Sequence, residues 1–225
     1  MNKISVLLAD DQTLVREGIR TILSLEPDLK VVGEAEDGLH VLRLSKDLFP
    51  EVVLLDFAMP GLNGLEVTRQ LLKILPSTKV IILTAHRNDA CEKSAAAAGA
   101  TGCLSKENTA SDVCQAIRDV HTGKAFFSPS VMRRLGGIAP RTCGDSRERP
   151  NTFLLLSSRE MEVLQLIAEG NANKLTAAKL SISLKTVEKH RGHLMEKLNI
   201  HGTAGLTRYA IASGMIESMV TDVME

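Results

Sequence analysis

Tryptophan is absent from this sequence, and all aromatic residues together make up only 3% of it. A chain so poor in stacking surface is ill suited to gripping single-stranded nucleic acid base by base. Its cores must be built from Leu, Ile, Val, Ala and Met. The 4 cysteines, Cys91, Cys103, Cys114 and Cys143, include no CxxC pair and no His or Cys spacing of a zinc site. They read as reduced thiols of a cytosolic protein. No segment approaches the roughly 20 apolar residues of a membrane span. The apolar run Ile4 to Ala9 is too short for a signal peptide and stops at two aspartates. A soluble, cytoplasmic protein is the expectation.

Net charge is missing as well, with 27 Lys and Arg against 27 Asp and Glu, but the balance is uneven along the chain. Residues 1–122 carry 13 basic against 17 acidic side chains, net −4, and the remainder 14 against 10, net +4, as an acidic and a basic domain would give. At 225 residues and 44% hydrophobic content there is room for two modest domains with cores of their own.

What is there is organised around VVLLDFAMPG, Val52 to Gly61. Four aliphatic residues suit a strand buried on both faces of a parallel sheet, and the run stops at Asp56 before a Pro-Gly turn. In open α/β sheets ligands bind outside the carboxyl ends of the strands, which makes Asp56 a candidate site residue; capping the following turn is its ordinary alternative. The flanking pattern alternates strands (Ile4–Ala9, Leu29–Ala35, Val52–Asp56, Lys79–Thr84, Gly102–Ser105) with helices (Leu14–Leu25, Gly38–Leu48, Gly64–Leu75, Ala90–Ala98, Ala110–His121). Five such units imply an α/β fold, a five-stranded parallel, doubly wound sheet. Its rim collects Asp10 and Asp11, Asp56, Thr84 and Lys106 from the ends of strands one, three, four and five. Converging carboxylates repel unless a cation is shared, and an all-oxygen set suits Mg²⁺. Lys106 offers a point charge, Thr84 a hydroxyl, and Ala85 beside it leaves room. An aspartate so placed can be the nucleophile of phosphoryl transfer. His40 and His121 lack metal-spaced partners and read as surface or packing residues, and Cys91 and Cys114 as small core hydrophobes.

On the Asp10-Asp11 pair, Asp56 in DxxMPG with Asn63-Gly64 beyond it, Thr84-Ala85, Gly99-Ala100-Thr101-Gly102 and Lys106, residues 1–122 resemble a response-regulator receiver domain. The resemblance implies that Asp56 accepts a phosphoryl group from a sensor histidine kinase. It also implies that Asp11, Asp56 and the backbone carbonyl of Ala58 hold Mg²⁺ with Asp10 acting through water, while Thr84 and Lys106 grip the phosphoryl oxygens. Ala58 and His86 stand where this family tunes the lifetime of the phosphoryl group, and Ala58 is expected to lengthen it. Where the family often carries an aromatic that rotates on activation, three residues before the lysine, this chain has Cys103, so the usual coupling route is not available.

Residues 123–156, with Gly136, Gly137, Pro140, Arg141, Gly144, Arg147, Arg149 and Pro150, read as a flexible basic linker in which Ser130–Leu135 forms a helical turn. Residues 157–225 are all-α. A capped amphipathic helix from Ser157 or Ser158 ends at Gly170, and a short helix, Ala172–Leu180, turns at Ser181-Ile182-Ser183 into a longer one, Leu184–Leu198. Two helices so joined fit a helix-turn-helix, whose second helix enters the major groove. The region carries 8 basic and 8 acidic residues, so only the local crowding of Lys185, Lys189, His190, Arg191 and His193 argues for DNA; a solvated charged face is the alternative. LSSREMEVLQLIAEGNANK followed by SISLKTVEKHRGHLMEKLNI resembles the LuxR-type (NarL/FixJ) DNA-binding domain. By that resemblance Lys185–Leu198 is the recognition helix, with Glu188, Lys189 and Gly192 facing base edges and Lys174, Lys185, Thr186, Arg191 and His193 holding phosphates. Residues 203–213 form a fourth helix for homodimerisation on promoter DNA. Leu175 and Thr176 replace the usual Glu and Ile, and Gly205 interrupts the fourth helix, so a looser scaffold helix and weaker dimerisation are expected.

The expectation is a two-domain transcription regulator, not an enzyme; the family resemblance implies a resting receiver that covers the recognition helix, while the sequence itself does not show whether the two domains touch at rest. A haloacid-dehalogenase-like phosphatase would need a second acid at position 58, which is alanine. A ligand-sensing first domain is disfavoured by the acid cluster and scarce aromatics. Phosphate-independent DNA binding stays open because of Cys103.

Overall fold

The computed structural model describes residues 3–85, 89–135, 156–213 and 215–216. His86, Cys143 and linker residues 136–155 lie outside them. The first part is built from β1 (Ile4–Ala9), α1 (Thr13–Ser24), β2 (Leu29–Ala35), α2 (Gly38–Leu48), β3 (Val52–Asp56), α3 (Gly64–Ile74), β4 (Lys79–Thr84), α4 (Asp89–Ala98), β5 (Gly102–Ser105) and α5 (Ala110–His121). The strands form one parallel sheet in the order β2-β1-β3-β4-β5.

Residue alternation along the strands sorts the core into two layers. Leu7, Ala9, Val53, Leu55, Val80, Ile82 and Cys103 face α2, α3 and α4 through Val41, Leu65, Leu71, Cys91 and Ala95. Val6, Leu8, Val52, Leu54, Ile81, Leu83 and Leu104 face α1 and α5 through Leu23, Val113, Ile117 and Val120. Both neighbours of β1 in the sheet are reached by crossovers, so the order reverses between β1 and β3. That reversal opens a crevice at the carboxyl ends of these two strands, where Asp10 and Asp56 stand. The helix ends differ from expectation by a residue at most. Leu25 and Leu75, for instance, are C-caps rather than helical residues.

The expected linker begins later than position 123. Phe126 bridges to Gly102, its carbonyl accepts from the Cys103 amide at 2.8 Å, and its own amide donates to Thr101 at 2.9 Å. A short helix, α6 (Pro129–Leu135), follows, and the Ser128 amide donates to Glu92 Oε2 at 2.7 Å. The segment satisfies its backbone by extending the edge of β5, a gain that composition does not reveal.

The second part consists of α7 (Ser158–Ala168), α8 (Asn173–Lys179), α9 (Leu184–Leu198) and α10 (Thr203–Ala212). A capping box of Ser157 and Glu160 starts α7, and Lys197 of α9 reaches back to Glu160 at 2.7 Å. Ser181 turns the chain between α8 and α9 at φ 53°, and Ser183 caps α9. Gly205 does not break α10. A Cβ there would lie 2.6 Å from Ile200 Cγ2, so the glycine marks the spot where α10 seats against Ile200.

Candidate functional site: an acid pocket and a helix-turn-helix face

The pocket is assembled by strand ends and short turns. Asp10 ends β1 with its amide bound to the Ala35 carbonyl, its Oδ1 accepting from the Gln12 amide at 2.8 Å, and its carbonyl held by Arg16 at 2.7 Å. Asp56 is fixed by the β3–β4 ladder, since the Phe57 amide donates to the Leu83 carbonyl at 2.7 Å. Gly64 allows the following turn to close. Its amide donates to the Phe57 carbonyl at 3.0 Å, and a Cβ would stand 2.4 Å from the Asp56 carbonyl oxygen. Lys106 follows β5, with its amide on the Thr84 carbonyl at 2.9 Å.

These side chains meet. Lys106 Nζ lies 3.0 Å from Asp10 Oδ2 and 3.2 Å from Asp56 Oδ2, with both acids buried. Asp10, Asp11 and Asp56 bring carboxylate oxygens within 4.8 Å of one another, Asp11 from the exposed side. Burial pushes the Asp56 carboxyl up to about 7, Asp10 and then Asp11 add to the rise, and Lys106 opposes it. The Lys106 ammonium is raised in turn; burial, its largest influence, works against that rise, and Asp56 and Asp10 outweigh it. An aspartate uncomfortable as an anion, beside two further acids and a single cation, is a site that a hard divalent cation would relieve. The oxygen-only donor set fits Mg²⁺.

Thr84, on the same rim, is buried, as is Cys103. The Cys91 thiol is held below its ordinary value by hydrogen bonds to Cys103 and Thr84, although burial works in the other direction. Two buried thiols, Cys91 and Cys103, therefore pack beside Thr84.

On α9, Lys185, Glu188, Lys189, Gly192 and His193 are exposed, so the first domain does not cover this face of the helix, unlike the arrangement the family resemblance implies. Thr186 is half-buried at the helix start, its hydroxyl 2.8 Å from that of Ser183, and Lys174 is exposed on α8. Arg191 is engaged within the domain, with Asn173 Oδ1 at 3.2 Å and Thr203 Oγ1 at 2.7 Å.

The receiver instead meets the second domain through α7. Gln165, fully buried, accepts on Oε1 from the Asn63 amide at 2.9 Å and Asn63 Nδ2 at 3.1 Å, and donates through Nε2 to the Met59 carbonyl. Glu169 Oε1 accepts from the Gly61 amide at 2.9 Å. Neither residue was singled out from the sequence. The available signal was a lone glutamine inside the apolar run Leu164 to Ile167, where every residue of the helix face is buried.

Residues 6–118 match the response regulator receiver domain, and residues 154–210 match the bacterial regulatory proteins of the luxR family. The chain belongs to the LuxR-type response regulators. It is 37% identical to the response regulator UvrY of Escherichia coli, covering 94% of this chain and 95% of that one. With the response regulator GacA of Pseudomonas aeruginosa identity is 36%, over 96% and 99% of the two chains. Among solved structures it is similar to the RcsB response regulator of Salmonella typhimurium, with TM-score 0.67 and 28% identity over 95% of this chain and all of that one. It is also similar to RcsB in complex with DNA, with TM-score 0.66 and 27% identity over 92% and 98%. This response regulator is thus a transcription regulator by family, and no helix among its described residues is long and apolar enough to cross a membrane.

Proposed function

We propose that this response regulator takes a phosphoryl group on Asp56 from a sensor histidine kinase and, once phosphorylated, binds promoter DNA through α9. The observation that carries the reading is the convergence of Asp10 and Asp56 on one largely buried lysine at the reversal point of the sheet. An Asp56 carboxylate oxygen attacks phosphorus, the new P–O bond forms as the bond to the donor breaks, and the electron pair leaves with the donor. Asp10, Asp11, Asp56 and the Ala58 carbonyl would hold Mg²⁺, which supplies charge neutralisation for the transferring group. Lys106 and Thr84 hold phosphoryl oxygens. Alanine at position 58 offers no acid for turnover of a separate substrate, which favours a switch over a phosphatase.

On DNA, Glu188, Lys189 and Gly192 read base edges, while Lys174, Lys185, Thr186, Arg191 and His193 position the helix on phosphates. Arg191 must first leave Asn173 and Thr203, or reach a phosphate while holding them. The exposed face of α10, with Arg208 and Ile211, is the candidate surface for pairing two copies across a two-fold site. The test is promoter binding by the intact protein with Mg²⁺, before and after acetyl phosphate, beside Asp56→Asn. Affinity that rises for the wild type and stays flat for the variant supports the reading. Equal binding by both proteins under both conditions overturns it.

A further inference from the structure

The loop that leaves Asp56 is held at its far side by the DNA-binding domain. Residues 57–63 follow Asp56 directly and carry the groups grasped by α7: the Met59 carbonyl, the Gly61 amide, and the backbone and side-chain amides of Asn63. Gln165 spends its whole hydrogen-bonding capacity on this contact, because Nε2 also donates to Glu169 Oε1 at 2.9 Å, which orients the acid toward Gly61. Asn63 is held from both sides. Its Oδ1 caps α3 through the Glu66 amide at 3.0 Å while its own amides face Gln165.

Such a buried amide is a two-state element. Either the loop keeps its present path and every group is paired, or the loop moves and a fully buried glutamine loses its partners, which is costly for buried polar groups. The Ala58 and Met59 carbonyls are consecutive on one backbone, so a change in the path of Ala58 would be felt at the Met59 carbonyl that Gln165 holds. Beside the contact lies a cleft of about 480 Å³ lined by Asp37, Leu62, Arg159, Leu166 and Lys179 among others, while buried apolar residues of both domains join in one cluster around it.

We propose that Gln165, seconded by Glu169, is the coupling residue of this chain: it reads the path of the 57–63 loop and holds α7 against the receiver until that loop rearranges. The proposal rests on the phosphoacceptor reading of Asp56 and replaces an aromatic route that Cys103 does not offer. Coupling of this kind is reciprocal, so what loosens the contact for α7 also eases occupation of the pocket.

The experiment titrates the intact chain with beryllofluoride, a phosphoryl mimic, in the presence of Mg²⁺ by calorimetry, and measures promoter binding without any phosphodonor, for wild type, Gln165→Leu and Glu169→Ala. Gln165→Leu is expected to bind beryllofluoride at least about 5-fold more tightly and to bind DNA unphosphorylated better than wild type, since coupling energies of this type correspond to factors of about 5–150. Glu169→Ala shifts both in the same direction by less, and serves alone if the leucine variant does not fold. If the wild type takes up no beryllofluoride, the phosphoacceptor reading and the coupling both fall. If it does, and the variants titrate and bind DNA as the wild type does, the coupling alone is overturned.

Discussion

The acid pocket and the recognition helix are made in opposite ways. In the pocket, Asp10, Asp56 and Thr84 are buried and Lys106 nearly so, and a misfit among charges is held in place by the sheet beneath them. On α9 the candidate DNA contacts Lys185, Glu188, Lys189, Gly192 and His193 stand in solvent, and the domain's basic and acidic residues cancel. A pocket that must respond to one phosphoryl group stores its instability in low-dielectric surroundings, where a single charge matters. A surface that must find a long polyanion keeps its charges hydrated and lets the partner complete the site.

The contrast is broken most severely at Asp56. Asp56→Asn is expected to abolish phosphoryl incorporation from acetyl phosphate altogether, read as the absence of the mass gain that the wild type shows. Next is the turn beneath it. Gly64→Ala drives a Cβ against the Asp56 carbonyl oxygen, a backbone atom at 2.4 Å. Overpacking of this kind costs about 1–3 kcal/mol, so the melting temperature falls and phosphoryl uptake falls with it, whereas an unchanged melting temperature would show that the turn is not constrained.

On the helix, effects should be graded rather than total. Lys189→Ala is expected to cost about 1–3 kcal/mol on the cognate site and less on altered sites. Lys185→Ala should weaken all sequences alike and reduce the salt slope of binding by about 1. Salt-dependent titrations on matched and mismatched duplexes distinguish the two roles.

A smaller test concerns the scaffold. Thr176 is fully buried, and its hydroxyl has no hydrogen-bond partner among the described residues. Thr176→Val keeps the shape and removes the orphan group, so denaturant unfolding should show a gain of about 1 kcal/mol. No gain would mean that the hydroxyl is paired in solution.

The smallest effect is expected at the surface. Arg118 holds both oxygens of Asp28 at 2.8 Å and keeps its carboxyl down at about 2. A carboxyl depressed in the folded state stabilises the protein above its unfolded value near 3.8 and loses that contribution as pH falls through about 2. The pair is partly exposed, so solvent screening holds the effect below about 1 kcal/mol. Arg118→Met should lower stability at neutral pH by about that much, flatten the acid limb of the stability curve between about pH 4 and pH 2, and leave stability below about pH 2 unchanged.

The elements of the fold were legible because each is announced locally. Val52 to Leu55 is apolar without alternation, as a strand covered on both faces must be; Ser157 and Glu160 spell a capping box; Ser183 opens a helix. The acid pocket was legible for a related reason. In a parallel sheet every strand ends on the same rim, so Asp10, Asp56, Thr84 and Lys106 could be brought together from their positions at strand ends. What stayed hidden depended on atoms distant in the chain. Phe126 completes the edge of β5, Gly205 makes room for Ile200, and Cys91 meets Cys103 and Thr84.

The sequence by itself determined the two domains' element types, the sheet's rim and its charges, because periodicity, caps and turns act over a few residues. Only the tertiary structure decided which face of the second domain meets the first. That choice turns on Gln165 finding Met59 and Asn63 more than a hundred residues away, and on α9 being left in solvent. Hydrogen bonds of a buried amide are satisfied by whatever the fold presents, and no local pattern encodes that partner.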